Sequence, residues 1–261
     1  DWTFGTMYAV HLEPEGASYV GRAEEFVART PLPLTDAEVG PDGALYFTVG
    51  GRGAQSELFR VTYVGEHSTN PAVIEEDKFS RLRRLRRSLE AYHGHASPAA
   101  VKAGLSQLGN PDRHIRYAAR LVMEAQPVDQ WGAAVLAMES PTARITGIIG
   151  LARQADKSLQ SQIFNALLEL DPATLGKADQ LAILRAYALS FIRQGRPDDE
   201  TAVGILKQLD GLYPTKDDQL NREYARLLVY LNSPTVVTKT LALMAEEREQ
   251  TNDDLVKDTR L

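Results

Sequence analysis

The sequence predicts a mixed fold, in which a small antiparallel β meander is followed by an all-α array of helical repeats. Residues 1–66 hold 9 of the 19 aromatic residues and 9 of the 19 glycines, although they make up only a quarter of the chain. The apolar residues of this quarter alternate with a period of two, whereas from Phe79 onward they recur with the 3.6-residue period of a helix. Two architectures are therefore joined in one chain.

The first strands are predicted from alternation. Residues 6–12 alternate as in a half-buried strand, a turn is expected at residues 13–16, and the chain returns over residues 19–27. Further strands are expected at 34–39, 44–49 and 57–64, with Asp42-Gly43 as a tight turn and a glycine-rich loop at 50–53. Such a meander of four to five strands leaves its edges open, so we expect further chain to complete it.

The helices begin with a strongly basic segment. Phe79, Leu82, Leu85, Leu89 and Tyr92 define one apolar face, and proline recurs near the first turn of later segments. The predicted helices span residues 79–93, 98–108, 112–125, 128–138, 141–154, 158–169, 177–194, 199–212, 217–231 and 234–248.

The helical segments repeat. Alternate helix starts are separated by roughly 30 to 40 residues, the spacing of helical-pair repeats. The stretch LGNPDRHIRYAARL at residues 108–121 has the HEAT-like arrangement, with a Pro-Asp turn, an arginine four residues after the aspartate and small alanines where helices approach. Stacked units of this kind form an α-solenoid.

Four regions follow from these patterns. We expect an incomplete β region at 1–66, a linker at 67–78, a helical-repeat domain at 79–250 and a polar tail at 251–261. The chain opens on Asp1 without an initiator methionine or a signal sequence, which is typical of a piece of a longer polypeptide.

Composition excludes several classes of function. The chain has 261 residues, no cysteine and a formal charge of −6, so this segment has no thiolate metal site, no attached haem and no overall basic field for nucleic acid. No apolar stretch approaches the ~18 residues of a membrane span. Nucleophile elbow, P-loop, dinucleotide and zinc-protease motifs are missing as well, so the sequence shows no catalytic constellation.

The β region carries a family resemblance. The stretches PLPLTD at 31–36, GPDGALY at 40–46 and LFRVTY at 58–63 resemble the last blade of the β-propeller in sorbosone and glucose dehydrogenase-like proteins. The order of propeller end and helical repeats is similar to large secreted multidomain proteins of planctomycete-type bacteria, which carry a c-type cytochrome domain downstream. The resemblance implies a periplasmic or extracellular protein. It also implies pyrroloquinoline quinone and c-type haem in the parent protein, with no cofactor in this fragment.

The resemblance also points to two site residues. Asp36 lies on the expected innermost strand, where such propellers direct polar groups into the central channel, and Arg52 in the glycine-rich loop has reach toward the same channel. The alternatives are a blade-to-blade hydrogen bond for Asp36 and a surface position for Arg52. His93 and His95 have a His-x-His spacing, but without a third ligand nearby we favour a structural role at the helix end over metal binding.

The basic helix is a candidate docking surface. Arg83, Arg84, Arg86 and Arg87 form a run that suits an anionic protein partner or another domain of the same polypeptide. The alternative is a solvated helix face with Arg86–Glu90 as an i,i+4 ion pair.

Two functional hypotheses remain open. In the first, the chain is an internal part of a sugar or polyol dehydrogenase-like electron-transfer protein, in which the helical repeats act as a non-catalytic scaffold or docking arm. In the second, the whole protein is a non-enzymatic interaction or adhesion module, because propellers and helical arrays both serve as binding platforms.

Overall fold

The computed structural model describes residues 1–51, 53–68, 70, 73 and 75–245. Within these residues, five antiparallel strands are followed by ten α-helices. The chain divides into two compact units, Asp1–Leu85 and Arg86–Leu261, and the division falls within the first helix. The expected polar tail at 251–261 and the end of the tenth predicted helix, 246–248, lie outside the described residues.

The first two strands form a long hairpin of their own. Strand β1 (Thr6–Glu15) pairs antiparallel with β2 (Ser18–Ala28), and Glu15 lies opposite Ser18. The turn that was expected at 13–16 is therefore shorter and later, at Gly16 and Ala17, with Gly16 at a φ of 55°. Pro14 stays within β1, because a two-stranded ribbon consists of edge strands and tolerates the missing N–H.

Strands β3 (Leu34–Val39), β4 (Leu45–Gly51) and β5 (Ala54–Val61) form a separate three-stranded sheet with β4 in the middle. The prediction of one continuous meander is wrong, since β2 and β3 do not pair. The connection between them contains Pro31 and Pro33, which lack the N–H groups that a continuing ladder requires. The predicted Asp42-Gly43 turn is confirmed, with Gly43 at a φ of 78°.

A small apolar core joins the hairpin to the sheet. Leu32, Phe47 and Val49 are buried at its centre, and Met7 and Val27 of the hairpin pack against them. The rings of Phe47 and Phe59 stack with centroids 4.8 Å apart. Because few side chains contribute, we expect this unit to draw much less stability from apolar burial than the helical unit.

The helices follow the predicted order closely. Their bounds are α1 Ser80–Glu90, α2 Pro98–Leu105, α3 Arg113–Glu124, α4 Gly132–Leu136, α5 Pro141–Gln154, α6 Gln160–Leu168, α7 Lys177–Gln194, α8 Asp199–Asp210, α9 Asp218–Tyr230 and α10 Val236–Ala245. Asp112, Ser140, Asp198 and Asp217 cap four of them by accepting hydrogen bonds from first-turn N–H groups.

The fourth predicted helix, 128–138, is the largest departure. A 3₁₀ turn at Val128–Gln130 precedes the short α4, and Trp131 interrupts the helical dihedrals with a φ of −141°. The Trp131 ring is fully buried, and its Nε1–H donates to the carbonyl oxygen of Gln126 at 3.2 Å. Burying this large ring with its polar atom satisfied therefore outweighs continuation of the helix.

The helices of the second unit contact one another in two rows. In the first row, α3 packs against α5, α5 against α7, and α7 against α9. In the second row α4 packs against α6 and α6 against α8, and even-numbered helices pack against their odd-numbered neighbours in sequence. Small residues permit this close approach: a Cβ built on Gly147 of α5 would lie 2.5 Å from Val135 Cγ1 of α4.

Candidate binding surface

The two residues implied by the propeller resemblance are not brought together in the described structure. Asp36 lies on β3 with an exposed side chain, and its Oδ1 accepts a hydrogen bond from the N–H of Ala37 at 2.8 Å. Arg52 lies outside the described residues. Asp36 is therefore an exposed strand residue whose carboxylate accepts a hydrogen bond from the backbone of the next residue.

A polar cluster surrounds the turn between β3 and β4. Asp42 Oδ1 accepts from the Ala44 N–H at 3.2 Å, and Oδ2 accepts from Arg60 Nη2 at 2.7 Å and from the Tyr46 hydroxyl at 3.0 Å. Hydrogen bonds from Arg60, then from Ala44 and Tyr46, lower the pKa of Asp42 to about 2. The assignment of Asp42 to turn formation is confirmed. Its partners lie in the turn itself (Ala44) and on the adjoining strands β4 (Tyr46) and β5 (Arg60).

The two histidines that follow α1 contact backbone carbonyl groups. His93 Nε2 lies 3.0 Å from the carbonyl oxygen of Ala118, and His95 Nε2 lies 2.9 Å from that of Ala91. Gly94 between them has a φ of 82°, a left-handed conformation that ends the helical segment. Within the described ranges no three metal-ligating side chains cluster, and these contacts agree with the structural role favoured for the pair.

Arg83 does not belong to an exposed docking surface. Its side chain is only 3% exposed; Nη2 donates to Asp77 Oδ2 at 2.8 Å and to Ser80 Oγ at 3.0 Å, and the guanidinium lies 5.1 Å from the centre of the Tyr19 ring. Arg83 is therefore engaged by Asp77, Ser80 and Tyr19, and its assignment to partner binding stays a prediction that this burial does not favour.

The other arginines of the basic helix are partly neutralised. Arg84 Nη1 donates to Glu76 Oε1 at 2.5 Å, and the predicted Arg86–Glu90 pair is confirmed with Nε and Oε1 3.1 Å apart. Arg87 is exposed. Part of the charge expected on this helix is thus balanced by Glu76, which precedes the helix, and by Glu90 at its end.

A different basic surface lies on the first row of helices, and we call it the arginine face. Its members occupy solvent-facing or half-buried positions of each helix. They are mostly three or four residues apart, so that they line one side, and Tyr230 directly follows Val229. They are Arg113, Tyr117, Arg120 and Glu124 on α3; Thr142, Thr146, Ile149 and Arg153 on α5; Leu181, Arg185, Ala188 and Ile192 on α7; and Arg222, Arg226, Val229 and Tyr230 on α9.

The centre of the arginine face is an ion cluster that joins two helices. Glu124 Oε1 accepts from Arg120 Nη1 at 2.9 Å, and its Oε2 accepts from Arg153 Nε at 2.8 Å. The Glu124 side chain is 7% exposed, so α3 and α5 share a nearly buried carboxylate. The Arg120 guanidinium also lies 5.1 Å from the centre of the Tyr117 ring, a cation–π contact.

A third arginine adds charge that the cluster does not balance. Burial is the main cause that lowers the pKa of Arg120, and the positive charges of Arg153 and Arg185 lower it further, while Glu124 opposes the shift. Arg185 is exposed on α7 and has no ion pair with an acidic side chain in the described part of the chain. Glu124 is therefore paired with two arginines, and Arg185 on the neighbouring helix adds a third positive charge.

At its far end, on α7 and α9, the arginine face also exposes large apolar side chains next to Arg222 and Arg226. Ile192 at the end of α7 is 72% exposed and Val229 on α9 is 60% exposed. Tyr230 is also exposed, and its ring stacks on Phe191 with centroids 4.8 Å apart. The face thus combines unbalanced positive charge with large apolar side chains in contact with solvent.

Sequence reasoning missed the arginine face. Its signal is the spacing of Arg113, Tyr117, Arg120 and Glu124 at i, i+4, i+7 and i+11, which places all four on one side of α3. The same offsets recur on α5. The spacing indicates a shared surface only when α3, α5 and α7 are known to lie side by side.

Comparisons of the chain with protein-family models, curated proteins and solved structures found no match. A helix with the length and apolar character for crossing a bilayer is not found among the described residues. What the arrangement offers chemically is charge, hydrogen-bond donors and apolar contact area, which are the properties of a binding surface.

Proposed function

We propose that the helical unit is a protein-binding array, an α-solenoid of HEAT-like repeats that docks partners or other domains of the same polypeptide. The two rows of helices support this proposal, because each helix of the first row packs against the next helix of the same row. A regular row of this kind presents a continuous side to solvent.

The observation that carries the proposal is the arginine face itself. Its sixteen positions include six arginines and one carboxylate; Arg226 is also paired with Glu223 of the same helix. Its α7 and α9 end exposes Ile192 and Val229. Unbalanced charge and exposed apolar groups cost solubility and stability unless a partner covers them. Aromatic residues and arginine are also the side chains that binding interfaces favour.

Site-specific photo-crosslinking in the full-length protein tests this function. A photoreactive amino acid replaces Ile192 on the arginine face, and the matched control carries it at Val203, an exposed position of α8 in the second row. We expect a discrete adduct from position 192, reproduced with the purified partner, and none from position 203. Equal labelling at both positions, or none at either, contradicts the proposal.

A second proposal concerns the β unit, as the end of a propeller in a sugar or polyol dehydrogenase-like parent protein located in the periplasm or outside the cell. Its support is that the stretches at 31–36, 40–46 and 58–63 each overlap one of three consecutive antiparallel strands, β3 to β5. Pyrroloquinoline quinone and c-type haem belong to the parent in this proposal. Dye reduction by the full-length protein with a sugar panel tests it, and no turnover with added quinone contradicts it.

A further inference from the structure

The two rows of helices differ in charge. Helices α3, α5, α7 and α9 carry ten lysines and arginines and four acidic residues, whereas α2, α4, α6, α8 and α10 carry three of each. The chain as a whole has a formal charge of −6. The first row is therefore a basic surface on an acidic protein, and it attracts negatively charged groups to one side of the molecule.

We propose that the arginine face binds an acidic peptide segment of a partner protein, with carboxylates against Arg153 and Arg185 and apolar side chains against Ile192 and Val229. This inference rests on the proposed function and names the chemistry of the partner.

The charge balance around Arg120 favours a second carboxylate. Glu124 is already engaged by Arg120 and Arg153, which leaves Arg185 and the outer nitrogens of Arg153 to receive another anion. Arginine binds carboxylates through paired, charge-assisted hydrogen bonds. A bound carboxylate also relieves the repulsion among the three guanidinium groups, so the charge pattern selects an anionic ligand.

The apolar end distinguishes a peptide from a nucleic acid. Ile192 and Val229 have no hydrogen-bonding groups and pack well against aliphatic side chains, and the Tyr230 ring beside them is already stacked on Phe191. The acidic character of the whole chain also opposes a long polyanion. A peptide that carries both carboxylates and aliphatic groups satisfies both ends of the face.

The dimensions of the row set the length of the segment. Neighbouring packed helices lie about 9 Å apart, so the three steps from α3 to α9 span about 27 Å. An extended peptide rises about 3.3 Å per residue and crosses this distance with about eight residues. Because successive side chains of an extended peptide point to opposite sides, we expect a segment of about eight to ten residues with its acidic residues in one half and its apolar residues in the other.

Fluorescence anisotropy with a defined probe tests the proposal. The probe is a labelled nine-residue peptide with glutamates in one half and leucines in the other, and a peptide with lysine in place of glutamate is its counterpart. We expect the intact protein to bind the acidic peptide, with affinity that falls as salt rises from 0.05 to 0.2 M, and not the basic one. Failure to bind the acidic peptide, or equal binding of both, overturns the proposal.

Charge reversal locates the site. Arg185→Glu removes an exposed arginine that has no ion pair in the described ranges, and Lys207→Glu makes the same change on α8 in the second row. We expect at least tenfold weaker binding for Arg185→Glu and less than twofold change for Lys207→Glu. Equal effects overturn the placement. Circular dichroism confirms that both variants fold, and Arg153→Ala provides a second variant at the site.

Two further measurements separate the alternatives. Ile192→Ser should weaken binding of the glutamate–leucine peptide and leave binding of a glutamate–serine peptide unchanged; tighter binding of single-stranded DNA than of the peptide overturns the choice of partner. If position 192 crosslinks to a protein partner but acidic peptides do not bind, the docking function stands and the proposed partner chemistry is wrong.

Discussion

Glu124 at the end of α3 accepts a hydrogen bond from Arg153 at the end of α5, with Oε2 and Nε 2.8 Å apart. The two residues are 29 positions apart in sequence and connect successive helices of the first row. Glu124 also holds Arg120 of its own helix. A single carboxylate thus connects α3 with α5 and orders two of the arginines on the arginine face.

Replacing Glu124 should destabilise the helical unit. Glu124→Gln keeps the shape but removes the charge that compensates Arg120 and Arg153, and we expect a loss of about 1–3 kcal/mol. The midpoint of urea unfolding measures it. Glu169→Gln is the control, because Glu169 is an exposed partner of Arg144 and we expect a change within about 0.5 kcal/mol. Equal losses would show that the shared carboxylate has no special role.

The Asp42 cluster should make the β unit sensitive to acid. The folded pKa of Asp42 is about 2, below its ordinary value of 3.8, so its stabilising contribution is complete above pH 4 and disappears as the pH falls toward 2. Titration of the carboxyl carbon by NMR measures this pKa directly. Arg60→Gln should raise it toward the ordinary value, since Arg60 is the largest cause of the shift. An unchanged pKa in that variant would contradict the assignment.

Arg83 should be a stabilising residue of the β unit. Arg83→Ala leaves Asp77 without its partner and removes the cation beneath Tyr19, so we expect faster amide exchange in the β1–β2 hairpin. Arg84→Ala removes an exposed arginine from the same helix and should leave the exchange unchanged. Similar protection in the two variants would mean that Arg83 does not hold the hairpin.

A pair of glycine substitutions tests the packing between helices. In Gly147→Ala the new Cβ would lie 2.5 Å from Val135, and we expect a loss of about 1–3 kcal/mol despite the better helix propensity of alanine. In Gly204→Ala the nearest atom is 3.5 Å away, so we expect a gain of about 0.5–1 kcal/mol. Thermal unfolding compares them, and a stabilising Gly147→Ala would contradict the packing described.

The order of the elements was readable from the sequence, and their partners were not. Periodicity predicted α5 and α7 with their observed bounds and β3 at Leu34–Val39, because local pattern and capping residues mark these elements. Periodicity did not predict that the strands form two sheets, since that depends on how the chain bends at Pro31 and Pro33.

For the candidate sites, the sequence likewise did not show which side chains are buried or which helices lie next to each other. Arg83 looked like one of several surface arginines, and its burial depends on Tyr19, which lies more than sixty residues earlier in the chain. Arg120 and Arg153 are far apart in sequence and share Glu124 only because α3 and α5 lie side by side. The packing of α5 against α7 brings Arg185 to the same face. A pattern within one helix contains no information about which helix lies next to it.

The nearest-neighbour packing of the helical rows bears on how such a chain changes during evolution. Helix α5 makes its main contacts with α3, α4, α6 and α7, so adding or removing one helix pair disturbs only the interfaces at the junction. Duplication of a pair would lengthen the row and its exposed side in proportion. Relatives of this protein should therefore differ in length by whole helix pairs, with each added pair extending the area that a bound segment can cover.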